Sequence, residues 1–136
     1  MQTKEITITL QPVSADEQPK EVKLKLAYCY ATEIGYKNRS DEDITDFTAE
    51  AIEAIRQNKM PDINKSIRLV LSALIAYSDF TGTEPPVTGK QLMYQLSPKD
   101  LGLSIGTILG LRSQFYHVPG GEPEDKSKEE DSEKKA

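Results

Sequence analysis

The stretch EVKLKLAYCYATEIGY, residues 21–36, changes its apolar rhythm partway along. Val22, Leu24 and Leu26 alternate with charged residues, the period of a strand buried on one face. From Leu26 onward the spacing lengthens: Leu26, Tyr30 and Ile34 recur every four residues, with Ala27 and Ala31 beside them, which is helical spacing. Gly35 stands where a short helix would end. The handover from strand to helix here decides the fold class. The same stretch holds Tyr28, Tyr30, Tyr36 and the sole cysteine, Cys29. Tyr30 and Ile34, sharing a face with Leu26, read as inward packing with tyrosine hydroxyls at the rim rather than as a ligand cage.

Upstream, EITITL alternates Ile6, Ile8 and Leu10 against Glu5, Thr7 and Thr9, and the turn-rich PVSADEQP separates it from EVKLKL. Two alternating segments so joined read as a β-hairpin with a long loop. Downstream, SDEDITDFTAEAIEAIRQNKMP carries an apolar stripe of Ile44, Phe47, Ala51 and Ile55, with Ser40 and Asp43 as a candidate capping pair. Asp62 is placed to cap INKSIRLVLSALIAYSDF, which shows two apolar faces: Ile63, Ile67, Val70, Leu71 and Leu74 on one, Leu69, Ala73, Ala76 and Phe80 on the other. A helix apolar on two sides is central, or covered by a partner. Thr88 with Gln91 begins a short helix, and Ser97, Pro98 and Asp100 supply N-cap, N1 and N3 of the last one.

Beyond Pro119 come seven acids against four lysines, a net of −3, and no apolar residue before Ala136. Such a segment buries too little surface to offset its ordering entropy. The expected fold is therefore α+β and predominantly α. Residues 1–118 form one domain, an N-terminal β-hairpin followed by about five helices, and 119–136 form a disordered charged tail.

A net charge of −5 and a pI near 5.0 argue against nucleic acid or an anionic membrane as partner, since both need a concentrated basic surface. A lone cysteine makes no internal disulfide and suits a reducing compartment. The longest nearly apolar run, LVLSALIAY at Leu69–Tyr77, falls short of the roughly 20 residues that cross a bilayer. With no signal-like start in MQTKEITITL, the expected location is the cytoplasm.

Chemistry-bearing motifs are sparse. His117 and Cys29 have no further soft ligand beside them, so no zinc spacing exists and no cofactor is expected. A Cys29–His117 nucleophile pair would need the fold to join them; a buried cysteine and a helix-terminal histidine are the ordinary alternatives. Asp43, Asp46 and Glu50 share a helix face, as a solvated acidic face does. Phosphate-cradling glycine motifs are missing. What stands out instead is Gly102, Gly106 and Gly110, spaced by four in LGLSIGTILGL. On a helix they make a groove without side chains, used either for close packing in the monomer or for a partner. The segment 88–115 also admits a helix-turn-helix DNA-binding regulator, although no three-to-four-residue turn is evident and Arg112 is the main basic residue of the supposed recognition helix.

The order of elements, namely hairpin, LAYCYATEIGY helix, acidic-start helix, the apolar LVLSALIAYSDF helix, a PPVTGKQL helix start and a lysine- and glutamate-rich tail, resembles the tail assembly chaperones of long-tailed phages and prophages. The resemblance covers residues 1 to 118 and implies a non-enzymatic protein. It would bind the tape measure protein, keep its long apolar helices soluble and help recruit tail tube subunits in the bacterial host cell. The family has no catalytic residues to transfer. On this reading the partner surface is Leu69, Ala73, Ala76 and Phe80 with the glycine groove, and self-association is expected from the excess of apolar helix surface.

Overall fold

Alternation does build the hairpin: β1 (Gln2–Leu10) pairs antiparallel with β2 (Lys20–Tyr28), Ile6 opposite Leu24 and Ile8 opposite Val22. A computed structural model describes residues 1–117, and the expected tail at 119–136 lies outside the described residues. One face of the hairpin presents Ile6, Ile8, Leu10, Leu24, Leu26 and Tyr28 to the core, while Thr3, Glu5, Thr7, Lys23 and Lys25 face solvent. Burial on one side only is what makes the period visible in the sequence.

Five helices follow: α1 (Tyr30–Ser40), α2 (Ile44–Arg56), α3 (Ile63–Thr81), α4 (Gly89–Gln95) and α5 (Pro98–Tyr116). The helices α3 and α5 lie on the apolar face of the hairpin and on each other, α1 packs along α3, and α2 and α4 sit at the periphery. One apolar core runs through all of them, from Ile6 to Leu111.

The strand-to-helix junction falls later than the four-residue spacing implies. Alternation continues through Tyr28, which is buried, and Cys29 caps α1 in an extended conformation with its amide donating to Thr32 Oγ1. The phase of α1 is thereby set by Thr32 and Tyr36, both buried, while Tyr30 and Ile34 turn outward at 65% and 60% exposure. Leu26, two residues before the end of β2, belongs to the strand period, so it cannot fix which side of the helix faces inward. Gly35 does not end α1 either. The helix runs a turn further to a left-handed Asp41 with φ of 55°, whose amide donates to the Lys37 carbonyl.

Capping chemistry positions the other helices. Asp62 accepts from the Lys65 amide at 2.9 Å, Ser97 from the Asp100 amide at 3.2 Å, and Thr88 and Gln91 form a reciprocal capping box. Ser40, however, ends α1 rather than starting α2. Asp43 stands at the α2 N-cap and gives its carboxylate to Lys37 at 3.0 Å. Ile55 also leaves the expected inward stripe, since α2 buries only Ile44, Phe47, Thr48 and Ala51. Asp100 has a second role that its N3 position does not reveal: Oδ2 accepts from the Thr9 amide at 2.9 Å, on the outer edge of β1. With the Leu10–Leu96 bridge and the Gln11 amide donating to Gln95 at 2.8 Å, this contact ties the end of β1 to the α4–α5 junction.

Candidate interaction surfaces

Both apolar faces of α3 are largely buried in the fold. Leu69, Ala73 and Ala76 lie in the core together with Val70 and Leu74, because the hairpin, α1 and α5 surround the helix. Of the stripe expected as a partner surface, Leu69 and Ala73 are closed off in the monomer, Ala76 keeps 5% exposure, and Phe80, one turn beyond Ala76, is open at 76%. No helix among the described residues is long and apolar enough to cross a membrane.

The glycines behave in the opposite way. The core side of α5 is Leu101, Ser104, Ile105, Ile108 and Leu111. At 100° per residue, Gly102, Gly106 and Gly110 fall on the far side of the helix. A Cβ placed on Gly106 or Gly110 would meet nothing within 4 Å, and one on Gly102 only the tip of Met60 at 4.0 Å. Close packing among the described residues is therefore not what these glycines serve. Exposed Leu103 borders the stripe on α5.

A second surface, absent from the sequence reading, lies between α1 and α3. The two helices run antiparallel, since Glu42 pairs with Lys65 while Arg39 and Gly35 both meet Ser72. Between them runs a groove of about 440 Å³ whose lining includes Ala31 and Gly35 from α1, Ser72 and Ala76 from α3, and Ile34 and Ile75. The absence of a side chain at Gly35 gives the Arg39 guanidinium its place: a Cβ would come within 2.6 Å of Nη1, which donates to Ser72 Oγ at 3.3 Å. Arg39 marks one end of the groove and Asp79 the other, and neither is in an ion pair among the described residues. Small residues four apart on each helix, Ala31 with Gly35 and Ser72 with Ala76, are the signal that would have disclosed the groove.

The aromatic stretch is built into the opposite flank of α1. Tyr28 and Tyr116 both donate to Glu33 Oε2, the former at 2.7 Å, and Phe115 packs against Tyr28 and edge-on against Tyr30. Burial, then the bond to Glu33, pushes the Tyr116 phenol up to about 12; the same two causes push Tyr28 further. Tyr36 donates to Glu42 at 2.8 Å, and burial followed by that bond raises its phenol too. These hydroxyls serve the fold. The cluster bolts the C-terminal turn of α5 to the start of α1.

Chemistry of other kinds finds little to stand on. The Cys29 thiol is half-buried and lies 3.9 Å from Thr32 Oγ1, and no hydrogen bond joins it to exposed His117. Among the described residues no three His, Cys, Asp or Glu side chains gather to hold a metal ion. The acidic face of α2 is instead engaged with lysines: Asp43 with Lys37, and Glu50 with Lys65, which also holds Glu42. Between α4 and α5 lie only Leu96 and Ser97, shorter than a helix-turn-helix turn. Arg112 is held by Thr45 Oγ1 at 3.3 Å and over the Tyr116 ring at 5.2 Å. No protein-family model, no curated protein and no solved structure matches this chain.

Proposed function

We propose that this chain is a non-enzymatic tail assembly chaperone of the long-tailed phage and prophage kind. It takes up apolar helical segments of the tape measure protein and helps bring tail tube subunits to them. The observation that carries the reading is the glycine stripe turned away from the core. Each helical glycine costs nearly 1 kcal/mol relative to alanine, and nothing among the described residues packs on Gly106 or Gly110 to offset it. A partner helix can approach that face to backbone distance, as side chains would not allow. Binding would act by mass action, lowering the free concentration of aggregation-prone apolar helices.

Co-expression with a tape measure fragment tests the proposal. The wild-type chain should keep the fragment soluble and co-purify with it, while Gly106→Leu, which fills the stripe without touching the core, should lose the fragment. A fragment equally soluble with and without the chain would end this reading.

A further inference from the structure

The α1–α3 groove carries its charges at opposite ends. The Arg39 guanidinium rests on Ser72, and Asp79 lies seven residues further along α3, so the two charges stand about 10 Å apart along a floor of small residues. Ile34 stands beside that floor and Phe80 continues the α3 stripe past it, both exposed. A two-fold axis lying just above the floor, parallel to it and perpendicular to the length of the groove, would bring a second copy face to face and end for end. Each Arg39 would then meet the partner copy's Asp79 and each Asp79 the partner copy's Arg39, while Ile34 of each copy reaches the small-residue floor of the other. A face that is positive at one end, negative at the other and lined between by small and uncharged residues is complementary to itself under this operation.

We infer that the groove is an isologous docking surface for a second copy of this chain. The tail of the same chain is a poor occupant, because residues 119–136 bring no apolar side chain before Ala136 to set against that floor. A foreign helix would need a matching pair of charges at the right spacing, whereas a second copy carries them by construction. The inference stands apart from the chaperone reading, which uses the outer face of α5.

Sedimentation equilibrium of the full chain and its variants tests it. Asp79→Lys and Arg39→Glu each place like charges opposite one another twice per dimer, and should each weaken association at least about tenfold. Mixing the two variants restores opposite charges at both contacts, so a heterodimer should form where neither variant pairs alone. Ile34→Lys, at an exposed position, should also give a monomer with unchanged far-UV circular dichroism. Two results would overturn the inference: a wild-type chain monomeric up to roughly 1 mM, or a dimer unmoved by both Asp79→Lys and Ile34→Lys. In either case capture of the tape measure fragment would leave the chaperone reading intact, and its loss with Gly106→Leu alone would separate the two surfaces.

Discussion

Replacing Gly106 by alanine should make this protein more stable and a worse partner. The residue lies within α5 in helical conformation, on the side away from Ile105 and Ile108, and an added Cβ would meet no atom within 4 Å. Two quantities decide the sign. The backbone entropy that glycine loses in a helix interior makes alanine better by about 0.8–1 kcal/mol. The opposing term, overlap with a neighbour, is absent. For the 117 described residues, that gain corresponds to a rise in Tm of about 4 °C. Gly110→Ala has the same surroundings, so the double variant should gain nearly twice as much. Gly82 provides the contrast: it caps α3 at φ of 72°, where a side chain is strained, and Gly82→Ala should lower stability by about 1 kcal/mol. Thermal melts followed by far-UV circular dichroism measure all three. A drop in Tm for Gly106→Ala would refute the reasoning, because it would mean that the glycine face is already packed within the monomer.

Three further expectations follow from burial and hydrogen bonding. Leu69→Ala should cost about 2–5 kcal/mol in denaturant melts, as the side chain is fully buried under the hairpin and α1; an unchanged midpoint would return Leu69 to the surface. Asp100→Ala removes both the acceptor for the Thr9 amide and an acid in the first turn of α5, and should destabilise by about 1–3 kcal/mol, with hydrogen exchange of the Thr9 amide accelerated. In a spectrophotometric pH titration, phenolate absorbance from Tyr116 should appear near 12 and that of Tyr28 and Tyr36 later still. A phenol whose folded pKa lies above the unfolded value binds its proton more tightly in the native state. The associated stability is thus complete below about pH 10 and is lost as pH rises through the folded values. All six tyrosines ionising together near pH 10 would contradict the buried bonds to Glu33 and Glu42.

Much of the architecture was legible because local chemistry spoke for itself. The hairpin follows from alternation of Ile6, Ile8 and Leu10 with threonines, and the starts of α3, α4 and α5 follow from Asp62, Thr88 and Ser97, whose side chains satisfy helix-end amides wherever the rest of the chain lies. Orientation was less legible. The apolar run of α3 does not say which neighbours cover it, so Leu69, Ala73 and Ala76 look as available as Phe80 until the hairpin, α1 and α5 are placed around them. In LAYCYATEIGY, strand and helix periods both pass through Leu26, and a junction shifted to Cys29 rotates Tyr30 and Ile34 from the inside to the outside of α1.

The sequence by itself determined which segments are strand and helix, where most helices begin, and that glycines recur every four residues near the end. These depend on side chains a few positions apart acting on their own backbone. Only the tertiary structure decided that the glycine stripe faces outward, that Tyr28, Glu33 and Tyr116 join, and that Arg39 and Asp79 stand at the two ends of one groove. Those relations link residues tens of positions apart and depend on the rotation of each helix about its axis. That rotation is fixed by the sum of many small packing contacts, and no short stretch of sequence contains it.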